Sequence, residues 1–154
     1  MAIEVVRKTE LDQDVIDLVT ELSEEMNRHY SQCQQHGLKV DQIMQPQIAF
    51  YVAYVDGEPA ACGGVDLQYE WGELKRMYAR PDFRGTGAAQ AILDALFEVA
   101  ESAGKDIVRL ETGIYQKAAI RFYERNGFKE CAAFPPYDEM GPSTIDTSYF
   151  MERC

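Results

Sequence analysis

The stretch RPDFRGTGAAQAIL, from Arg80 to Leu93, places two closely spaced glycines between a predicted strand and a predicted helix. Pro81 removes a backbone donor and disfavours helical geometry at Arg80, so the preceding segment GELKRMYA (Gly72 to Ala79) is predicted to be a strand that ends here. Downstream, apolar residues recur at helical spacing and Gly104 is placed to end the helix. They are Ala88, Ile92, Leu96, Val99 and Ala103. A strand, a glycine turn and a helix therefore follow one another.

Such a turn exposes unpaired backbone N–H groups at the positive end of the helix dipole, an arrangement that favours binding of an anion such as phosphate. Gly85 and Gly87 remove side chains that would keep a pyrophosphate from the backbone, and Ala88 and Ala89 keep the first helical turn bare. A helix entry that merely needs positive φ angles would look the same. The turn alone predicts an anion site without naming the anion.

The residues after the glycines exclude two common nucleotide sites. A P-loop needs Lys and Ser or Thr after its last glycine, where this chain has Ala88 and Ala89. A dinucleotide fingerprint needs a third Gly or Ala where this chain has Gln90, and the chain lacks repeated βαβ units. Neither site is predicted.

The remaining pattern predicts one α/β domain over residues 1–154, in the order β-α-β-β-β-α-β-α-β-β. Hairpins and strand-helix crossovers occur together, so the sheet must mix antiparallel and parallel pairs. The other predicted elements are a strand at Ile3 to Val6, a helix with an apolar stripe from Leu11 to Tyr30, a hairpin at Ala49 to Tyr69 around Asp56-Gly57, a strand at Asp106 to Gly113, a helix at Gln116 to Phe128, and the strands FKECAAF and TSYFMER.

Charge and composition limit the classes of ligand and partner that the sequence predicts. The formal charge of −11 disfavours nucleic acid and favours cationic or small neutral ligands, although it also serves solubility. Four cysteines without CxxC spacing and two histidines make no zinc pattern, so no metal is predicted and a reducing compartment is favoured. No signal-peptide core or membrane-length apolar run is present, which predicts a cytoplasmic protein without a membrane partner.

Two motifs carry a resemblance to a known family. Arg84, Gly87 and Ala89 form an Arg-x-x-Gly-x-Ala pattern, and AAIRFYERNGF (Ala118 to Phe128) follows at the expected distance. The sequence resembles the GCN5-related N-acetyltransferase (GNAT) superfamily, in detail from Gly72 to Phe128 and in element order throughout, and LETGIYQ is similar to bacterial members described as general acetyltransferases. The resemblance implies a mostly antiparallel mixed sheet flanked by helices, and acetyl-CoA as the acetyl donor.

The resemblance also implies the residues that hold coenzyme A. The turn's backbone amides would bind the pyrophosphate, at Arg84, Gly85, Thr86, Gly87, Ala88, Ala89 and Gln90. The preceding strand, at Met77, Tyr78 and Ala79, would separate from its neighbour at a bulge and pair with the pantetheine arm, and the Met77 amide would face the thioester carbonyl. Gln116 stands where the family often has an Asn that contacts the cofactor arm.

Acetyl transfer to an amine needs a base, because an ammonium group must lose a proton before it attacks. Glu73 occupies the place of the base glutamate in histone-type members and is the leading candidate, with Glu111 or a water relay as the alternative. Tyr123 matches the tyrosine that protonates the departing thiolate. Glu73 could instead be a solvated strand residue, and Tyr123 a core residue.

No motif describes the acceptor, which in this fold would lie near Asn27 to Gln42 and Phe134 to Asp146. Asp138 and Glu139 would suit a cationic amine, and His29, Tyr30 and Tyr137 could line a pocket. The leading hypothesis is N-acetylation of a small-molecule amine. The alternatives are N-acetylation of a protein N-terminus or lysine, and a non-catalytic acetyl-CoA-binding module. A homodimer could complete the acceptor site.

Overall fold

The computed structural model describes residues 1–154, which form a seven-stranded mixed sheet with helices on both faces. The strands lie in the order β1-β2-β3-β4-β5-β7-β6. Their bounds are β1 Ile3–Lys8, β2 Ile48–Val55, β3 Glu58–Asp66, β4 Gly72–Ala79, β5 Val108–Gly113, β6 Lys129–Glu130 and β7 Ser148–Arg153. The helices are α1 Gln13–Asn27, α2 Ala88–Ser102, α3 Lys117–Arg125 and α4 Pro142–Ile145. No helix has the length and apolar character needed to span a bilayer.

The predicted α/β class and element order are confirmed, with two local differences. The segment FKECAAF is a strand only at Lys129–Glu130, because Pro135 and Pro136 have no backbone donor and the chain turns away soon after the Cys131 N–H donates to the Phe150 carbonyl at 2.9 Å. The loop that follows contains α4, which begins with Pro142 at its first position, where the missing N–H costs nothing.

The sheet separates between β4 and β5, and this separation positions the site. These two strands form the only parallel pair, joined at Gly72 with Val108 and Glu73 with Arg109. All other neighbouring strands are antiparallel. Beyond Glu73, the edge of β4 that faces β5 has no strand partner, so the two strands enclose an open wedge.

A β-bulge lies in β4 beside this wedge. Cys62 pairs with Tyr78 and Gly64 with Lys75, so Gly63 alone stands opposite Arg76 and Met77. Arg76 takes a left-handed φ of 56°, which is uncommon for a residue with a side chain. A Cβ at Gly63 would collide with the Met77 sulfur and would lie 2.9 Å from an Ile92 methyl carbon, so this glycine makes room for these two side chains.

Two apolar clusters hold the helices against the sheet. One joins α2 to the sheet through Ile92, Leu93 and Leu96, all fully buried. The other packs the buried face of α1, which includes Val15 and Leu18, against the opposite face. The apolar spacing that includes Ile92 and Leu96 in α2, and Val15 and Leu18 in α1, was the basis of both helix predictions. It fixes which side of each helix packs on the sheet.

Candidate active site

A cleft of about 910 Å³ opens where β4 and β5 separate. Its walls come from α1 and the following loop, β4, the glycine turn, β5 and the start of α3. The two sequence motifs, which lie some thirty residues apart, therefore face one cavity.

The glycine turn lies at one end of the cleft with its donors unused. Gly85 and Gly87 have φ angles of 82° and 93°, and Gly87 is the N-cap of α2. The N–H groups of Gly85, Gly87, Ala89 and Gln90 make no hydrogen bond within the protein, whereas the Ala88 N–H donates to Thr86 Oγ1 at 3.3 Å. Four free donors at a helix N-terminus are the arrangement that binds a phosphate group.

The side chains of the turn hold its shape. The Arg84 Nε donates to the Ala79 carbonyl at 3.2 Å, and the Gln90 amide donates to Asp94 at 2.9 Å and to Asn126 at 2.8 Å. The Thr86 hydroxyl donates to the Phe83 carbonyl, and Thr86 is the one predicted turn residue that does not line the cleft. Gln90 thus joins α2 to the end of α3.

The strand residues Met77, Tyr78 and Ala79 line the middle of the cleft. They belong to the part of β4 that has no partner on the β5 side. The Tyr78 hydroxyl donates to Glu21 at 3.3 Å, and burial raises the pKa of Tyr78 to about 12, so this phenol stays protonated.

Tyr123 faces the cleft from α3. It is 6% exposed, it packs edge-to-face on Phe128, and its hydroxyl makes no hydrogen bond to the protein. Burial raises the pKa of its phenol above the ordinary value. The hydroxyl is therefore a protonated group available to a ligand. Tyr123 also belongs to the buried apolar cluster that contains Leu93, Leu110 and Phe128, so its ring is part of the core, as the alternative interpretation expected.

Glu73 is not among the residues that line the cleft. It is 1% exposed, Tyr137 donates to its Oε2 at 2.6 Å, and the Lys75 ammonium lies 2.9 Å from the same oxygen. Its assignment as the catalytic base stays a prediction. The interpretation as a solvated strand residue is wrong, because the carboxylate is buried and paired.

Glu111 does line the cleft, at the wall formed by β5. The Ser148 hydroxyl donates to its Oε2 at 2.7 Å. Burial raises the pKa of Glu111 and the nearby Glu73 charge adds to the rise, while the Ser148 hydrogen bond and the charges of His36 and Lys75 oppose it. A carboxylate with a raised pKa is a stronger base than an ordinary surface glutamate.

Gln116 lines the cleft at the N-cap of α3, where the Tyr30 hydroxyl lies 3.4 Å from its Oε1. The same Tyr30 oxygen accepts a hydrogen bond from the Tyr115 N–H at 3.1 Å. Any side chain at Gly113 would overlap the Tyr30 ring. Tyr30 thus fastens the end of α1 to the chain between β5 and α3.

The acceptor end was described only in part by the sequence. His29 and Tyr30 line the cleft, whereas Tyr137, Asp138 and Glu139 do not. Sequence reasoning missed Arg76, His36 and Tyr115, which do line it. Glycine inside a strand indicates a bulge, so the pair Gly63-Gly64 could have indicated one near β3, but it does not show which residue of β4 the bulge reorients.

Comparison with known proteins places this geometry in a family. The model of the acetyltransferase (GNAT) family matches residues 16–128, and the chain belongs to that family of acetyl-CoA-dependent acyltransferases. It is 32% identical over 151 residues to the IAA acetyltransferase of Azospirillum brasilense, covering 97% of this chain and 95% of that protein.

Solved structures agree with the fold. A Klebsiella pneumoniae protein assigned as an acyl-CoA N-acyltransferase superposes with a TM-score of 0.78 at 31% identity, covering 98% of this chain and 96% of that one. The PaiA N-acetyltransferase of Thermoplasma acidophilum, solved in complex with coenzyme A, has a TM-score of 0.73 at 17% identity and covers 99% of both chains. The latter likeness concerns the fold alone.

Proposed function

We propose that this protein transfers the acetyl group of acetyl-CoA to the primary amine of a small molecule. The single observation that carries the proposal is the cleft itself. It joins four free N–H donors at the glycine turn to an unbonded phenol at Tyr123 and a carboxylate of raised pKa at Glu111. A phosphate-binding end, an acid and a base thus share one cavity.

The donor would lie along the wedge. The N–H groups of Gly85, Gly87, Ala89 and Gln90 would bind the pyrophosphate, and the unpaired edge at Met77, Tyr78 and Ala79 would pair with the pantetheine amides. A backbone donor at Met77 would stabilise the oxyanion that forms from the thioester carbonyl.

Glu111 is the base in this proposal, because it lines the cleft and Glu73 does not. It removes a proton from the substrate ammonium, and the neutral nitrogen attacks the thioester carbon. The nitrogen of the tetrahedral intermediate releases its second proton to solvent, and collapse then forms the amide and breaks the carbon–sulfur bond, with the electron pair leaving on the thiolate. Tyr123 donates its proton to that sulfur and is later reprotonated from solvent.

The raised pKa of Tyr123 is compatible with this role. Burial disfavours the phenolate, which keeps the acid protonated at neutral pH. A thiolate formed in the same desolvated cleft has its own pKa raised for the same reason. The proton therefore passes between two groups that are shifted in the same direction.

A small acceptor is favoured over a peptide because the loop after α1 closes one side of the cleft. His36 Nε2 lies 2.7 Å from the Thr144 carbonyl, and the Gln34 amide donates to Asp146 at 3.3 Å. These contacts join the loop to the α4 region, whereas an extended peptide requires an open groove.

The test is an amine panel, including short peptides with a free N-terminus, assayed for thiol release from acetyl-CoA. Tyr123→Phe should lower kcat by about 100-fold or more while leaving the KM for acetyl-CoA within a few-fold. Tyr51→Phe is the matched control, since its hydroxyl also lacks a hydrogen bond but lies outside the cleft. Tight acetyl-CoA binding without turnover of any amine or peptide would indicate a binding module instead.

A further inference from the structure

Arg76 is a positively charged residue in the cleft wall that takes no part in the proposed acetyl transfer. It occupies the bulge in β4, and its side chain crosses toward α1. One guanidinium nitrogen, Nη2, donates to the Val19 carbonyl at 3.1 Å and to the Ser23 hydroxyl. The residue lines the cleft on the same side as His29 and Tyr30.

No carboxylate neutralises this guanidinium. Nε is buried and makes no hydrogen bond, and Nη1 makes none either. Three other arginines lie beside carboxylates: Arg80 is 2.7 Å from Glu21, Arg84 is 3.6 Å from Glu25, and Arg109 is 3.1 Å from Glu152. Arg121 and Arg125 also line the cleft without an acidic partner, but both are exposed to solvent. Arg153, in the sheet, has no acidic partner either, and its guanidinium stacks over the Phe97 ring. In a chain with 26 acidic and 15 basic side chains, a half-buried arginine without an acidic partner is unexpected.

The loop after α1 leaves room for this group. Gly37 lies directly against Nη1, and a Cβ at that position would collide with the guanidinium. Gly37 and Arg76 both line the cleft. Burial lowers the pKa of Arg76 from its ordinary value, and an anion beside it would reverse that effect.

We propose that Arg76 binds a carboxylate of the acetyl acceptor, so that the acceptor is an amino acid or a similar amine that carries a carboxylate. A planar guanidinium with unused N–H groups matches a carboxylate in shape and charge. Glu111, in the wall formed by β5, would take the ammonium end. Such a zwitterion has no net charge, so the overall charge of −11 does not repel it.

This inference rests on the proposed function, and matched substrate pairs test it. Each L-amino acid of the standard set is compared with its decarboxylated amine where that amine is stable, for example phenylalanine with phenethylamine. The wild type should favour at least one amino acid over its amine by about 10-fold to 100-fold in kcat/KM, the range expected of a charged hydrogen bond. Arg76→Gln should abolish that preference by raising the KM of the amino acid, so that kcat/KM for the amino acid falls about 10-fold or more beyond any change for the plain amine.

Two further variants separate binding from structure. Arg76→Lys keeps the charge and should retain part of the preference. Arg80→Gln removes a neighbouring arginine that does not line the cleft and should leave the preference intact. Equal kcat/KM for every amino acid and its amine in the wild type, or an equal loss on both substrates in Arg76→Gln, would overturn the proposal.

Calorimetric titration of the coenzyme A complex with the same compounds distinguishes this inference from the proposed function. If amino acids bind in an Arg76-dependent way and neither they nor their amines are acetylated, the proposed acetyl transfer is overturned while the carboxylate site stands. Turnover of plain amines without any preference would do the reverse. A final arm compares β-alanine with 2-aminoethylphosphonate, and tighter binding of the phosphonate would overturn the assignment of a carboxylate.

Discussion

At the scale of single residues, the proposed mechanism depends on which of two neighbouring carboxylates, Glu111 or Glu73, is the catalytic base. Glu111 lines the cleft and its pKa is raised above 4.5, so the acid limb of the kcat/KM profile should lie above that pH. Glu111→Gln should remove the limb and lower kcat/KM by about 100-fold or more. Measured pH–rate profiles of the wild type and both Glu→Gln variants check this.

The Glu73 variant gives the control. The negative charge of Glu73 contributes to the raised pKa of Glu111, and Lys75 opposes it. Glu73→Gln removes the negative charge of Glu73 and leaves the Lys75 ammonium without its partner. Both changes lower the pKa of Glu111, so the acid limb of the kcat/KM profile should move to lower pH without disappearing. If the limb vanished in Glu73→Gln and survived in Glu111→Gln, Glu73 would be the base after all.

The same raised pKa has a consequence for folding stability. A carboxyl whose folded pKa exceeds its unfolded pKa imposes no penalty at pH values below both, and a growing penalty as the pH rises through the folded pKa. Glu111→Gln, which keeps the shape and an acceptor for Ser148, should therefore be more stable than the wild type at pH 7 and nearly equal to it near pH 4. Urea unfolding at the two pH values measures this, and the opposite order would show that the charged form is the one the fold stabilises.

At the scale of elements, the glycine turn before α2 can be tested against the other end of the same helix. Gly87 and Gly104 have φ angles of 93° and 76°, so alanine at either position is strained by about 1–2 kcal/mol. Both variants should lose comparable stability in thermal unfolding. Only Gly87→Ala should raise the KM for acetyl-CoA, by about 10-fold, since Gly104 ends the helix far from the free N–H groups. An equal effect on KM would mean that the turn does not hold the donor.

Elements with strong local signals were predictable, and those set by tertiary pairing were not. Pro81 and the glycines define where β4 ends and α2 begins, and Asn126-Gly127 ends α3 through a left-handed glycine. The burial of the Glu73 carboxylate could not be predicted from the sequence. Strand alternation cannot show that Tyr137, 64 residues away, would cover its carboxylate. Arg76 was not predicted as a cleft residue for a similar reason, because the bulge that turns it toward α1 depends on the partner strand β3.

At the scale of the whole molecule, residue spacing predicted the elements, whereas the separation of β4 from its neighbour was implied only by the family resemblance. Where β4 and β5 stop pairing is decided by how α1, α3 and the loops pack, which no short sequence window contains. The acidic composition, in contrast, is a property of the entire chain and needs no structure. The effect of the net charge on stability can therefore be tested without reference to the cleft.

The charge of −11 should make stability increase with salt. Five ion pairs are present, and pairs of this kind, mostly exposed or half-buried, contribute about 0–1 kcal/mol each, so screening them costs little. Repulsion among the unpaired carboxylates is spread over the surface, and raising the ionic strength from about 0.01 M to 0.15 M shortens the screening length from about 30 Å to 8 Å. Relief of this repulsion should exceed the loss in the ion pairs, so Tm measured in NaCl at pH 7.5 should rise by a few degrees.

Near pH 4.6, where the sequence carries no net charge, the rise in Tm should vanish or reverse. A lower Tm in salt at pH 7.5 would show that local ion pairs, and not the summed charge, dominate the electrostatic stability of the fold.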